Sequence, residues 1–498
     1  MEGSNDDTLL QEPLLEQQPA NLINDEYGDA TPPRRRHRNI PVMLAFQFIR
    51  CGAESIWLGS VLSAYVYLMK PHKPELIGYL SAVEGIVQFF AACAAGVLAD
   101  KYRRDILCRV ASIFGLAASL LIVGSTIRHI FWFLVVALAL NGAFDGINLT
   151  AGLAVFADSI REGERSHYFT QRTLSMTIGQ IMGPLCGLVM FYAMGDQWTI
   201  ESCAFVMCTA QVLLSPSFVL LWFFKDVEHT EEDEWQDNTN EDGTTSPLLQ
   251  SEESGDSEAM ADERSETRVD ADTAVDATPR CTTSPRFIAI CAATSDIMCA
   301  FASGISFRFF AIFFLKDLQF NPVLVQVLDA LSCLVGGVLL LGAQRVSLRL
   351  GRSITSVVFK TVGVAFLLSM VFSFKYIHRR GPPSENRALT VAICLFYLLQ
   401  GAFLNSTQAL TRSLIMDNVP RNERAKWSAL ESINIFGWCG SAAVGGILVN
   451  MFDGNILPVF GLTAGLQALG LLPLVLLFGV DTHEGHEVSS PEGQEADN

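Results

Sequence analysis

Charge is scarce in this 498-residue chain: only 17% of its residues are Asp, Glu, Lys or Arg, against about a quarter in ordinary soluble domains. Histidine is scarcer still, with eight residues, and the twelve cysteines form no Cys-x-x-Cys pair. That leaves no sequence-local metal-ligand set. Cys51, Cys93, Cys186, Cys291 and Cys439 lie in apolar runs, where a thiol serves as a small hydrophobe. Bases are fewer than acids, 34 against 52, for a formal charge of -18. Nucleic-acid binding wants a basic face, so that balance argues against it. No phosphate loop and no Ser-His-Asp set are found, so nothing points to an enzyme, a cofactor or an ATP-driven pump. The polar, acidic first thirty residues lack a signal-peptide pattern.

What the chain has in quantity is apolar sequence: 50% hydrophobic residues and a mean hydropathy of +0.32. Apolar runs of about 20 residues are the length of a membrane span, and in lipid such runs must be helical to satisfy their own backbone. Twelve are expected, at 40–69, 75–98, 105–127, 130–158, 171–193, 200–224, 286–315, 321–344, 354–375, 387–415, 427–451 and 455–479. The fold class is therefore all-α, a membrane protein of two six-helix bundles, 40–225 and 286–480. A cytoplasmic tail (1–39), an acidic loop (226–285) and an acidic C-terminal tail (481–498) lie outside the bilayer. The loop is rich in Glu, Asp, Ser and Thr and is expected to be disordered. It reads as a linker, or as a phosphorylated segment at Ser251, Ser254 and Ser257.

Arg34, Arg35, Arg36 and Arg38 precede the first span and place that end in the cytoplasm. Lys101, Arg103 and Arg104, then Arg161 and Arg165, then Arg345, Arg349 and Arg352, then Arg421, Arg424 and Lys426 fall on the same side. Lys375, Arg379 and Arg380 are the exception. Both termini are expected in the cytoplasm. Glu12-Pro-Leu-Leu15 and Ser246-Pro-Leu-Leu249 are similar to dileucine sorting signals, without the acid four residues before the leucines. They tilt the location from the plasma membrane toward a vacuolar or lysosomal one. Asn148-Leu-Thr150 and Asn405-Ser-Thr407 match the glycosylation pattern but lie within predicted helices.

The halves repeat. An offset of about 246 pairs Arg50 with Asp296, Lys70 with Lys316, Gly96 with Gly342 and Arg103 with Arg349. An offset of about 259 pairs Asp158 with Asp417, Arg165 with Arg424 and Gly187 with Gly446. Such duplication marks many transporters, whose substrate site lies between the halves.

Two strings carry a family resemblance. Between the second and third spans stands Gly96-Val-Leu-Ala-Asp100-Lys101-Tyr-Arg-Arg104, and in the fifth Gly179-Gln-Ile-Met-Gly183-Pro184-Leu-Cys-Gly187. The first resembles the G-x-L-A-D-[RK]-x-G-R-[RK] loop of the major facilitator superfamily, with Arg103 where glycine is usual. The second resembles the G-x-x-x-G-P-x-x-G-G string of its proton-driven exporters, with Leu188 in place of the last glycine. The resemblance implies a conformational latch of Gly96, Asp100, Lys101 and Arg104, with Asp100 against the start of the eleventh helix near Lys426–Glu431 and a basic residue against Asp158. Leu348 replaces the acid in the second copy, so the N-terminal half is expected to carry the stronger latch. In helix five, glycines four apart share a face and Pro184 bends it; a packing helix and an antiporter gate both fit.

Ionisable residues inside a membrane are functional candidates by default. They are Arg50 and Glu54 on helix one, Glu84 on helix two, Asn141 and Asp145 on helix four, Asp296 and Arg308 on helix seven, Asp329 on helix eight, and Gln400, Asn405, Gln408 and Arg412 on helix ten. The resemblance implies that helices one, four, seven and ten line the cavity, and Glu84 ranks lower as a flanking residue. Asp145, Glu54 and Asp296 are the expected proton sites, Asp145 first because no cation lies one turn from it. Arg50 and Arg308 suit an anionic group on a substrate. Neutralisation of Arg50 by Glu54 along one helix is the plainer alternative. The expected activity is secondary transport of a small organic solute by alternating access, proton-coupled, by a monomer in a lipid bilayer. A facilitative uniporter and a transport-inactive sensor or scaffold are the alternatives.

Overall fold

The computed structural model describes residues 36–71, 73–99, 101–160, 165–226, 284–380, 386–419 and 424–477. Residues 1–35 of the N-terminal tail, residues 227–283 of the acidic loop with its serines, the C-terminal tail, both dileucine-like strings and Asp100 lie outside the described residues, as do the side chains of Lys426 and Glu431; residues 36–39 belong to the first helix rather than to a tail.

Spans 2, 3, 5 and 6 are Glu75–Ala99, Arg104–Arg128, Arg165–Ala193 and Ile200–Leu221, and spans 8, 9, 11 and 12 are Pro322–Leu350, Arg352–Arg380, Arg424–Met451 and Leu457–Val475. These are continuous helices. The other four are interrupted. Span 1 is Arg36–Trp57 and Ser60–Met69, broken at Leu58 and Gly59; span 4 is Phe131–Ile147 and Leu153–Asp158, joined by a π-helical turn at Asn148–Gly152. Span 7 runs Pro285–Phe307, turns at Arg308, and continues through Phe309–Ile312 into a second π-turn at Phe313–Asp317. Span 10 is Arg387–Asn405 and Gln408–Asp417, broken at Ser406 and Thr407. The sequence reads each of these as one helix, and the structure corrects that. Both glycosylation-like strings fall at such interruptions: Asn148–Thr150 in the π-turn and Asn405–Thr407 at the span 10 break.

Local chemistry explains many of the ends. Pro285, Pro322 and Pro458 stand in the first turns of their helices, where a missing N–H costs nothing. Thr199 caps span 6 by accepting from the Ser202 amide at 3.0 Å. Gly351, at φ 85°, makes the one-residue corner between spans 8 and 9, a conformation that favours glycine.

Span 1 packs on spans 5 and 6, span 2 on span 4, span 7 on spans 11 and 12, and span 9 on span 10. The bundles meet along span 2 with span 11 and span 5 with span 8. One end of the molecule, the near end, carries the loops at 101–103, 159–160 and 418–419, and the described chain enters and leaves there. The far end carries the loops at 194–199, 318–321 and 452–456.

The buried core shows how the bundles sit. Toward the far end one apolar cluster runs through both, from Trp57, Tyr65 and Phe191 to Phe309, Phe313 and Phe460. Toward the near end it divides. Phe46, Phe144, Phe156 and Phe218 belong to a cluster wholly within the N-terminal bundle; Ile288, Val357, Leu414 and Leu474 belong to another wholly within the C-terminal bundle. The bundles are thus joined at the far end and parted at the near end. Phe90, Leu120, Val212, Val338 and Phe372 lie exposed on the outside, as in a protein whose solvent is lipid. Trp132 and Tyr192, both near the far end, are exposed as well, where interfacial aromatics belong.

Candidate functional site

Span 4 can lie directly on span 2 because Gly142 and Gly146 carry no side chain. A Cβ at Gly142 would strike the Glu84 carbonyl oxygen, and one at Gly146 the Gln88 carbonyl oxygen. This close approach brings two polar turns together: Asn141 Nδ2 donates to Glu84 Oε1 at 3.0 Å. One turn along span 4, Asp145 Oδ1 accepts from Arg50 Nη2 of span 1 at 2.5 Å, and Arg50 Nε donates to Glu54 Oε1 at 2.8 Å. The guanidinium of Arg50 lies over the Phe144 ring, 5.4 Å from its centroid.

Span 7 of the other bundle completes the cluster. Arg308, 5% exposed, is placed at the turn between two helical pieces. Its Nε donates to Ser81 Oγ at 2.8 Å, its Nη1 donates to the Leu58 carbonyl freed at the span 1 break, and its Nη2 lies 3.6 Å from Glu84 Oε2. Three carboxylates (Glu54, Glu84, Asp145) therefore share two guanidiniums (Arg50, Arg308) across three helices of one bundle and one of the other.

Sequence reasoning named Arg50, Glu54, Asn141, Asp145 and Arg308, and the structure brings all five together. It ranked Glu84 as peripheral, yet Glu84 touches both Asn141 and Arg308. Asp145 has no cation on its own helix, but Arg50 reaches it from span 1. Asp296 lies apart, bound at 3.0 Å by Lys360 Nζ of span 9. Lys360 was missed. The signal was one lysine in the middle of an apolar span, and at 2% exposed it is deeply buried. Gln400 is buried on span 10, whereas Asn405, just before the break, and Gln408 and Arg412, one turn apart after it, are exposed. Exposed polar side chains along a span are suited to water, not lipid. Thr173 and Gln180 on span 5 are exposed too.

The far end is shut by polar contacts between bundles. Trp198 Nε1 donates to the Phe320 carbonyl at 2.8 Å. Asp196 accepts from Asn321 Nδ2 at 3.1 Å and from the Val323 amide at 3.0 Å, so a carboxylate of one bundle sits at the N-terminus of span 8 in the other, as the helix dipole favours. Ser60 Oγ donates to Asp329 Oδ2 at 2.7 Å and accepts from Gln326 Nε2 at 3.1 Å. Glycines line the same seam: a Cβ at Gly78 would strike the Ala442 carbonyl, and one at Gly85 the Cys439 side chain.

The sequence that builds these two bundles is matched by a family model, that of the Major Facilitator Superfamily, over residues 44–265 and 292–497. The chain belongs to the Major Facilitator Superfamily. Its members are transporters, not enzymes. No curated protein matches the chain in sequence. Among solved structures it is similar to a bacterial homologue of the iron transporter ferroportin in an inward-facing state, with 14% identity, TM-score 0.61, and 89% of this chain and 99% of the other covered. An outward-facing structure of such a homologue gives 13% identity and TM-score 0.52 over 88% and 99%. A D-xylose-proton symporter gives 11% identity and TM-score 0.60 over 90% and 97%.

The superfamily's signature loop can be followed around its outer part. Arg104 Nη1 donates to Asp158 Oδ2 at the end of span 4, and the Arg104 amide to Asp226 Oδ2 at 2.8 Å. Gly96 lies against Thr150 of the span 4 π-turn, and Lys101 is exposed. The second copy keeps more than its lost acid suggests. Arg352 opens span 9 as Arg104 opens span 3, and it binds Asp417 as Arg104 binds Asp158. The N-terminal pair is the more sheltered, with side chains 22% and 35% exposed against 41% and 57%.

On span 5 the glycine face meets span 1. A Cβ at Gly179 would come 2.7 Å from the Phe48 carbonyl oxygen, and one at Gly183 would overlap Ser55 Oγ. Gly187 instead faces Gln326 of span 8, and Pro184 is buried within a continuous helix. Gly183→Val is expected to force spans 1 and 5 apart at a cost of about 1–3 kcal/mol, read as a lower unfolding temperature in detergent. An unchanged temperature would show that this contact tolerates bulk.

Proposed function

We propose that this chain is a proton-coupled secondary transporter that moves a small organic solute by alternating access. The observation that carries the reading is the count in the central cluster. In the ion pairs among the described residues three carboxylates face two guanidiniums, so one added proton balances these pairs. Buried charge is tolerated when paired and is costly when left over; the proton removes the excess. Asp145 and Glu54 compete for Arg50, and either can release it when protonated.

The solute site is the space between the bundles, bordered by this cluster and by the exposed polar residues of span 10. Arg50 and Arg308 suit an anionic group on the solute. All four interruptions fall on spans 1, 4, 7 and 10, and broken helices are where transporters place substrates and coupling ions. The divided core supports a state open at the near end, with access from the cytoplasm if the arginine bias places the termini there. The pairs Arg104–Asp158 and Arg352–Asp417 act within each bundle, holding spans 3 and 4 and spans 9 and 10 as rigid units while the halves rock.

The test is a flux assay. Proteoliposomes carrying an internal pH dye are exposed to amino acids, nucleosides, sugars, organic anions and amphiphilic cations in turn. Proton movement driven by one class, and lost in Asp145→Asn, is the expected result. Solute flux without protons would make it a uniporter. No flux from any class by folded protein would favour the sensor reading.

A further inference from the structure

Each carboxylate of the central cluster, and Asp296, has a cation. Asp329 of span 8 differs. It lies within a membrane span and forms no ion pair among the described residues; its one hydrogen bond comes from Ser60 Oγ, on the other bundle, at 2.7 Å. Among the described residues, the elements around it bring no base. Span 1 supplies Ser60, span 10 supplies Tyr397, and span 8 itself supplies Cys333 and Gln326; Tyr397 and Cys333 lie within electrostatic reach of Asp329. Span 5 faces this turn with Gly187, against Gln326.

The hydrogen-bond inventory is lopsided as well. Ser60 spends its one proton on Asp329 and receives one from Gln326 Nε2. Gln326 Oε1, one turn from Asp329, is buried and has no donor. The group is rich in acceptors and short of donors, a shortage that one proton relieves. Its position matters equally. Asp329 lies two turns inside Val323, where the far end is sealed by Asp196, and it is half-buried. Opening the far end must part Ser60 from Asp329, because they belong to different bundles.

We propose that Asp329 is a second proton-binding site, which registers whether the far end is open through its bond to Ser60. Closing the interface on an ionised carboxylate without a cation costs more than closing it on the neutral acid. Protonation therefore favours the far-end-closed state, and opening returns the proton to water on that side. This rests on the reading of alternating access, and it adds a proton site distinct from the Arg50 cluster.

The experiment needs no knowledge of the solute. Bioorthogonal spin labels at the exposed Lys73 and Lys375, one on each bundle, report far-end separation in the full chain in lipid nanodiscs between pH 8 and pH 5. The far-end-closed fraction is expected to rise as pH falls. Asp329→Asn should be closed at every pH, and Ser60→Ala should flatten the response while unfolding at the wild-type temperature. A wild-type pH response in Asp329→Asn overturns the proposal, as does the same shift produced by sodium at fixed pH. If Asp329→Asn does not fold, an unaltered response in Ser60→Ala overturns it instead. Proton-driven flux that survives in Asp329→Asn removes this site and leaves the transport reading standing. Absence of flux with the pH response intact and Asp329-dependent does the reverse.

Discussion

Arg308→Met is expected to unlatch the far end. The wild-type guanidinium binds Ser81, the Leu58 carbonyl and Glu84, all on the opposite bundle. Methionine fills a similar volume but leaves Glu84 with Asn141 alone and the Leu58 carbonyl without that donor. Removing one partner of a buried pair costs about 3–5 kcal/mol, and about 1.4 kcal/mol is a tenfold change in an equilibrium. A fall of about a hundredfold or more in the preference for the far-end-closed state follows. Hydrogen exchange over residues 75–85 and 305–312 should quicken, and transport should fail. Adding Glu84→Gln to Arg308→Met removes the orphaned charge and should restore part of the protection, a non-additivity expected of residues in contact. Unchanged exchange in the single variant would mean that the apolar seam alone holds this end shut.

The second large effect is expected at Arg50. One guanidinium answers two carboxylates, Glu54 on its own helix and Asp145 on span 4. Arg50→Gln leaves both acids in a site only 12–13% exposed. The loss in stability should be about 3–5 kcal/mol, seen as earlier thermal unfolding. Proton-driven flux should disappear, since the pair that a proton would break, Arg50 with Asp145 or Glu54, is gone. Asp145→Asn in the Arg50→Gln background, which still leaves Glu54 without its arginine, should recover part of the stability and none of the proton coupling. Recovery of both would place the coupling elsewhere, with Asp329 the next residue to examine.

The two variants test different things, although the residues share a cluster. Arg308 crosses between bundles, so its loss shifts a conformational equilibrium. Arg50 stays within one bundle, so its loss changes the charge of the site while leaving the seam in place. Asn141 links them, touching Glu84 on one side and standing one turn from Asp145 on the other.

Much of the site was legible as a set of residues. Arg50, Glu54, Asp145 and Arg308 stand out because charge inside an apolar span is rare and costly. Their partners were not legible. The i,i+4 spacing gives Arg50 to Glu54, but only the glycine-permitted approach of spans 2 and 4, with span 1 alongside, gives Asp145 to Arg50 and Asn141 to Glu84. Lys360 was overlooked in an apolar span, although it forms the ion pair that occupies Asp296. The breaks in spans 1, 4, 7 and 10 also escaped. Leu58-Gly59 and Ser406-Thr407 are ordinary enough within an apolar run, and a π-turn carries no distinct sequence mark.

The sequence by itself determined the number of spans, the division into two halves and the superfamily, because apolar run length, duplication and the Gly96–Arg104 loop are linear properties. Tertiary structure alone decided which carboxylates have cations, that Asp329 has none among the described residues, and which end is closed. Those depend on approaches of a few ångströms between helices far apart in the chain. Side chains such as Arg308 and Ser60 have no partner of this kind until the two bundles meet.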